Sequence, residues 1–328
     1  MHIGVALPQY DWSIAGDNPL SIASVLDYAA AAATLGADSV WLSDHLFLDL
    51  ARYGGSPEPA ACLDPIVTLA AVARRVPEVR IGTLVLCEAF RPASVLAKSL
   101  ATLDRLSNGR LDIGLGAGWY EPDYEALGMP LPAPRERLAR LADAVEVVKG
   151  LLGGGPFTYD GEHHRAVDAI NHPPAVQAHP RVFVGGKGDR VLRLAARHAD
   201  GWNTCWIWTP ADYRARLEVL VRECDAVGRD PATVWRTLGL YALCGDDEAD
   251  LARRFERLQA ASPPGVIAGN LDEFRRGRLV GTVDEVREQL EQWRDLGIDT
   301  LVVSMGAVPF QMGAVDDLEP MLRAASGN

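Results

Sequence analysis

The polar triplet Ser43-Asp44-His45 follows an apolar stretch, and its histidine is the first candidate for chemistry. An imidazole titrates near neutral pH, so His45 can take up or release a proton during a reaction. The other interpretation is a hydrogen-bonded histidine that only shapes a pocket. Glu121, which lies just beyond a glycine-rich turn, is the second candidate proton carrier. Together the two residues predict acid–base chemistry.

Two glycine-rich turns, each at the end of an apolar strand, predict a ligand site. The first is Gly114-Leu115-Gly116-Ala117-Gly118-Trp119, and the second is Gly185-Gly186-Lys187-Gly188. Glycine tolerates positive φ and lets other groups approach the backbone closely. The first turn lacks the full dinucleotide-binding pattern, which disfavours a Rossmann phosphate loop. The second opens a predicted helix, where free N–H groups and the helix dipole favour a phosphate. Lys187 adds positive charge there or is simply solvated.

The sequence predicts no metal centre. The five cysteines are widely spaced, and no pair has the spacing of zinc ligands or of a disulfide framework. His163-His164 lacks a third ligand at a suitable spacing, so we expect it to lie at the surface. Trp119, Trp202, Trp206 and Trp208 stand at or just after strand ends, where they form either a pocket wall or core packing.

Strands and helices alternate along the whole chain, which positions these residues. The predicted strands cover 2–8, 39–45, 80–86, 110–116, 181–186, 201–206, 234–244 and 300–305, with helices between them. Eight such units predict a parallel (β/α)₈ TIM barrel, formed by one domain over residues 1–328. Ligands of such barrels bind at the carboxyl ends of the strands. We therefore expect the loops 49–63, 120–134 and 262–280 to line the pocket, and 153–180 to form a hairpin or an extended segment.

Composition excludes several classes of partner. The 328 residues carry a formal net charge of −12, which opposes binding to nucleic acid and to anionic membranes. No apolar run reaches the roughly 20 residues that a membrane span needs. The chain enters a predicted strand at once, with no basic region before it, so we expect no secretion signal. We expect a cytoplasmic enzyme with a small-molecule substrate; a homodimer is the oligomer to consider.

The motifs resemble those of a known family. In order they are VWLSDH (40–45), RIGTLV (80–85), AKSLATLDRLSNGR (97–110), GLGAGWYEPDYEALG (114–128), VGGKG (184–188) with ADGWN (199–203), and GTVDEV (281–286). The ordered set resembles the bacterial luciferase-like superfamily, and within it the branch that depends on the deazaflavin coenzyme F420. This resemblance implies an oxidoreductase that transfers hydride between F420 and a small organic substrate.

The resemblance also implies roles for single residues. Asp44 would contact the cofactor ring, and His45 would sit by the reacting carbon. Leu84-Val85 matches the place of a non-proline cis peptide behind the ring, and Cys87 matches a position that touches it. The turn Gly116-Ala117-Gly118-Trp119 would help to hold the ring, and Gly185 to Gly188 would bind the cofactor phosphate. Cys87 could instead be a small buried apolar group.

One departure from the family pattern concerns the substrate. Sugar-phosphate dehydrogenases of the branch carry an acidic glutamate directly after the Gly-x-Gly turn, and here Trp119 occupies that position. A sugar-phosphate reaction is therefore in doubt. The main alternative function is an FMN-dependent monooxygenase on the same barrel, using reduced flavin and oxygen. A barrel that binds a flavin without catalysis is the third.

Overall fold

Eight parallel strands close into a barrel in the computed structural model, which describes residues 1–326. Each strand pairs with the next along the chain, and β8 pairs with β1. Between β4 and β5, Ile113 lies opposite Val182 and closes the ring. The barrel strands are β1 (His2–Ala6), β2 (Ser39–Leu42), β3 (Arg80–Thr83), β4 (Leu111–Gly116), β5 (Val182–Gly185), β6 (Gly201–Trp206), β7 (Trp235–Gly245) and β8 (Thr300–Ser304). The predicted TIM barrel is confirmed.

Helices surround the barrel, and their sequences mark several of their ends. Asp64 caps the first turn of α2 (Pro65–Arg75) through the Val67 N–H, and Thr282 with Glu285 forms a capping box on α10 (Val283–Asp295). The helices are α1 (Ile22–Thr34), α2 (Pro65–Arg75), α3 (Ala93–Leu106), α4 (Glu121–Ala126), α5 (Pro134–Leu152), α6 (Asp189–His198), α7 (Pro210–Asp225), α8 (Glu248–Ala261), α9 (Leu271–Arg275), α10 (Val283–Asp295) and α11 (Leu318–Ser326). No helix within residues 1–326 is both long enough and apolar enough to cross a bilayer.

The segments predicted as loops hold additional short elements. Helix α4 lies inside 120–134, and 262–280 contains α9 and the first half of a strand, Leu279–Thr282, that pairs with the far end of β7. The four residues Leu279–Thr282 follow a cluster of proline and glycine that favours a loop, so the sequence does not predict this strand. Phe47–Leu48 and Ala60–Ala61 pair at the start of the loop after β2. The segment 153–180 contains the expected hairpin, in which the strands Phe157–Asp160 and Arg165–Ala169 pair.

Trp41 fills the centre of the barrel. Its side chain is fully buried, and its indole N–H donates to Ser39 Oγ at 2.8 Å. A Cβ atom at Gly4 or Gly82 would lie 2.3 or 2.2 Å from the Trp41 ring, so both glycines make room for it. Phe183 packs edge-on against the same ring, at 6.0 Å between centroids. The barrel is therefore closed by side chains below the carboxyl ends of its strands.

The sequence predicts His163-His164 as a surface feature, but in the structure this pair binds the hairpin to neighbouring elements. His164 Nε2 lies 2.7 Å from a carboxylate oxygen of Glu88, which is buried after β3. The backbone N–H groups of both histidines donate to Asp143 on α5. Within residues 1–326, no three His, Cys, Asp or Glu side chains are arranged to hold a metal ion.

Candidate active site

One large cavity opens at the carboxyl ends of the strands, with a volume of about 840 Å³. Asp44, Leu84, Gly116 and Gly185 follow or end four consecutive strands, and all four line it, as the barrel prediction required. The loops 49–63, 120–134 and 262–280 each contribute lining residues as well. Of the predicted site residues, those in the lining are Asp44, His45, Leu84, Val85, Cys87, Gly116, Ala117, Gly118, Trp119, Gly185, Gly186 and Lys187. Glu121 and Gly188 are outside it.

His45 is held by a buried carboxylate. Its Nδ1 lies 2.8 Å from Oδ2 of Asp123, whose side chain is 1% exposed. The other oxygen of Asp123 accepts the backbone N–H of Leu46 at 3.2 Å. Because an ionised carboxylate only accepts, this contact keeps the proton on Nδ1. Nε2 then has a lone pair that can take a proton in the cavity.

Glu121 does not share this position. It is the first residue of α4 and is exposed to solvent, whereas Asp123, on the same helical turn, is buried and faces His45. The acidic group beside the imidazole is therefore Asp123, and the sequence-based choice of Glu121 needs correction. The stretch Glu121-Pro122-Asp123 contains both carboxylates, and only the direction of α4 distinguishes them.

The floor of the cavity is built around Val85. The Leu84–Val85 peptide bond is cis, as the resemblance implied. A Cβ at Gly116 would lie 2.6 Å from Val85 Cγ2, and one at Gly185 would lie 3.0 Å from the same side chain. These two glycines therefore make room for Val85, whereas we expected them to admit a ligand. Gly118 is different: it has φ +68°, and a Cβ there would lie 2.0 Å from the Tyr124 hydroxyl.

Asp44 lies at the edge of this floor in a fixed orientation. Its Oδ2 accepts hydrogen bonds from Arg91 Nη1 at 2.6 Å and from the Cys87 N–H at 2.9 Å. Oδ1 accepts one bond, from Arg91 Nη2 at 3.2 Å, and retains capacity for another. Burial raises the pKa of the Asp44 carboxyl, and the hydrogen bonds from Arg91 and Cys87 oppose that effect. Burial also raises the pKa of the Cys87 thiol, to about 12.

The turn after β5 leads into the N-terminus of α6. The N–H groups of Gly188, Asp189 and Arg190 have no acceptor within residues 1–326. Gly186 has φ +150°, and its carbonyl accepts the indole N–H of Trp202 at 2.8 Å. Trp202 is fully buried, so it supports the turn rather than lining the cavity. Free N–H groups at a helix start form a site for an anion.

Four cationic side chains line the cavity, and the sequence signalled only one of them. Besides Lys187 they are Arg52, Arg137 and Arg278. Arg52 lies over the Trp119 ring at 4.6 Å, and Lys187 over the Trp208 ring at 4.9 Å. Within residues 1–326 none of the four has a carboxylate within 4.0 Å. The cavity thus presents unpaired positive charge inside an acidic chain.

The loops that follow β2 and β4 are tied to each other. Tyr120 donates its hydroxyl to the Asp49 carboxylate and accepts the backbone N–H of the same residue. The Asp123 carboxylate makes the second tie, because it binds both the His45 ring and the Leu46 N–H. The rings of Trp119 and Tyr120 stand edge-on to the imidazole, at 5.6 and 5.8 Å. The His45 imidazole is therefore held by contacts from both loops.

Comparison with known proteins agrees with this architecture. Residues 1–300 match the family described as luciferase-like monooxygenase. An F420-dependent glucose-6-phosphate dehydrogenase of Amycolatopsis mediterranei is 36% identical over 298 residues, covering 85% of this chain and 87% of that protein. An F420-dependent hydroxymycolic acid dehydrogenase of Mycobacterium tuberculosis is 30% identical over 299 residues, covering 88% and 79% of the two chains. The crystal structure of the monooxygenase RslO1 of Streptomyces bottropensis covers 100% of this chain and 99% of its own, with TM-score 0.77 and 24% identity.

These similarities confirm the family indicated by the motifs. The family match extends over almost the whole barrel, and the first relative exceeds 30% identity over most of both chains. The structural likeness, at 24% identity, supports the fold. The chain therefore belongs to the luciferase-like monooxygenase family and is an oxidoreductase.

Proposed function

We propose that this oxidoreductase uses coenzyme F420 and transfers hydride between it and a small organic substrate. The observation that carries the proposal is a single cavity lined both by the hydrogen-bonded pair His45 and Asp123 and by the turn Gly185-Gly186-Lys187, which leads into the N-terminus of α6. The names of the relatives from Amycolatopsis mediterranei and Mycobacterium tuberculosis supply the cofactor class.

The residues of the cavity fit such a cofactor. A cavity of about 840 Å³ is within the range of small-molecule sites, and its floor at Val85 is apolar. The N–H groups at the start of α6, together with Lys187, would hold a phosphate. Asp44, whose Oδ1 can accept one more hydrogen bond, would bind a donor group of the ring. When bound, F420 supplies or accepts a hydride at a ring carbon.

The protein's own part in the reaction is to manage a proton. The Asp123 carboxylate holds a proton on Nδ1 of His45, so Nε2 can accept one from a substrate hydroxyl. In the opposite direction, the imidazolium donates from Nε2 to a developing alkoxide, and Asp123 stabilises its charge. Trp119 and Tyr120 flank the imidazole of His45 and reduce the access of water to it.

Glucose-6-phosphate, for which the relative from Amycolatopsis mediterranei is named, is not the substrate proposed for this chain. Trp119 occupies the position where the resemblance implies an acidic glutamate, and it is 43% exposed at the cavity mouth. Glu121 does not replace that acid, because it is outside the lining.

The test is a titration of the purified protein with F420 and, separately, with FMN. We expect saturable quenching by F420 at lower concentration than by FMN. Gly186→Val should weaken F420 binding, because the residue has φ +150° and its Cβ would lie 2.9 Å from Val191. Gly155→Ala is the control, since Gly155 is outside the cavity lining and a Cβ there meets nothing within 4 Å. Tighter binding of FMN, with oxygen consumption on reduction, would instead favour the monooxygenase.

A further inference from the structure

Arg278 is a cation without a counter-ion in the cavity wall. Its Nη1 donates to the Phe274 carbonyl at 3.0 Å and makes a longer contact, 3.4 Å, with the Arg276 carbonyl. Its Nε is buried without a partner, and no hydrogen bond of Nη2 occurs within residues 1–326. A guanidinium stays charged in proteins and carries five N–H donors. Arg278 therefore retains N–H donors that no protein group satisfies.

The residues around Arg278 do not neutralise it. The guanidinium lies over the Tyr241 ring at 5.7 Å and over the Phe274 ring at 4.6 Å. Burial raises the pKa of the Tyr241 hydroxyl well above its ordinary value, so that group is neutral. The two carboxylates of the cavity lining, Asp44 and Asp123, are bound to Arg91 and His45. A partly buried charge without a partner is costly unless an anion joins it.

Aromatic rings form the adjoining wall. Trp206 stacks on Tyr241, with centroids 5.5 Å apart and planes 18° apart, and meets Phe310 edge-on at 5.5 Å. Tyr10 packs beside Phe310 at 6.4 Å. The rings of this wall end β6, lie in β7, or follow β1 and β8, whereas the predicted cofactor residues end or follow β2 to β5. The aromatic wall and Arg278 thus belong to a separate half of the cavity.

We propose that this half binds a substrate with an aromatic or conjugated ring that carries an anionic substituent, a carboxylate, phosphate or sulfonate. The ring packs against Trp206 and Phe310, and the anion pairs with the free N–H groups of Arg278. Such a pair is planar and can be bidentate, which fixes the orientation of the ring. The proposal rests on the proposed function in taking this cavity as the place where cofactor and substrate meet.

Two fluorescent probes that differ in charge test the inference. 1-Anilinonaphthalene-8-sulfonate is an aromatic anion, and N-phenyl-1-naphthylamine has the same rings without the sulfonate. We expect the anion to bind the F420-saturated protein with one equivalent, at least about tenfold more tightly than the neutral probe. Arg278→Met should raise the Kd of the anion about tenfold and leave that of the neutral probe within twofold. Arg276→Met, an exposed change two residues away, should alter neither Kd.

Several results would overturn the inference. One is equal affinity of the two probes for the unaltered protein, and another is an unchanged Kd of the anion in Arg278→Met. A loss of F420 affinity in Arg278→Met would assign this residue to the cofactor instead. If Arg278→Met unfolds, Arg278→Gln keeps polar contacts to the loop and carries the same expectations. Repeating the titrations without F420 separates the two proposals, because probe binding requires neither cofactor nor turnover.

Discussion

Asp123→Asn tests whether the buried carboxylate works through His45. The change keeps the size of the side chain and an oxygen that can accept the Leu46 N–H, but it removes the negative charge 2.8 Å from Nδ1. In the proposed reaction the imidazole becomes positively charged while it carries the proton. The transition state therefore loses a charge-assisted hydrogen bond, whereas the cofactor floor at Val85 is untouched.

The expected loss follows from the strength of that hydrogen bond. A hydrogen bond to a charged group contributes about 1.5–3 kcal/mol. At 1.36 kcal/mol per factor of ten, kcat should fall about 10- to 160-fold. The loss should not exceed that of His45→Ala, for which acid–base catalysis predicts about 10²- to 10⁴-fold. The double variant should resemble His45→Ala alone, because the two residues act as a unit.

The assay is kcat at saturating F420 and substrate, with the Kd of F420 measured separately. The downfield proton signal of Nδ1–H reports whether the hydrogen bond survives. Glu121→Gln is the matched control: it removes a carboxylate from the same helical turn at an exposed position, and kcat should stay within twofold. A kcat of Asp123→Asn within threefold of the unaltered enzyme would refute the reasoning, as would a loss confined to the Kd of F420.

Three further predictions concern packing, thiol chemistry and the barrel base. Gly116→Ala should lower stability by about 1–3 kcal/mol, because its Cβ would lie 2.6 Å from Val85. Val85→Ala should recover much of that loss in chemical denaturation, and Gly155→Ala, with open space around its Cβ, is the control. Burial raises the pKa of the Cys87 and Cys205 thiols from 9.0 to about 12. At pH 8 both should therefore react with iodoacetamide about a thousandfold more slowly than in the unfolded chain, and the reaction should become faster as pH rises. Mass spectrometry of the labelled peptides measures the rates, and equal rates in the folded and unfolded chains would contradict the prediction. Asp112→Asn should cost about 3 kcal/mol, since Asp112 is 2% exposed and accepts two 2.7 Å bonds from Arg80. Asp160→Asn, which loosens only the exposed pair with Arg165, should leave Tm unchanged, and equal Tm values for both variants would refute this.

The barrel could be predicted from sequence because its signal is local and repeated. Each strand is a short apolar run that ends in a turn, and β6 has the predicted bounds, 201–206. The rim was also predictable, because the carboxyl ends of parallel strands share one side. Leu279–Thr282 was missed because it depends on pairing with β7, a contact between distant segments that no local pattern shows.

The site was predicted less completely, for reasons that differ between residues. The position of His45 in the cavity lining could be predicted because a histidine has few roles at the end of a strand. Choosing Asp123 over Glu121 required the direction of α4, which sequence does not give. The sequence predicts that Gly116 holds a ligand, but its neighbour in the structure is the Val85 side chain. The two residues lie at the ends of neighbouring strands, which meet only in the folded barrel. Arg278 carries no sequence signal, because an arginine in a polar loop is ordinarily solvated.

The two ties between the loops after β2 and β4 have a consequence for how this enzyme can be modified. Asp49 and His45 lie on one loop, while Tyr120 and Asp123 lie on the other. One hydrogen bond joins Asp49 to Tyr120, and another joins His45 to Asp123. A chimera that takes one loop from a related protein would leave two polar partners behind. The two segments should therefore be exchanged together, as one inherited module. Recombination between relatives would preserve activity mainly at crossovers that do not separate residue 45 from residue 123.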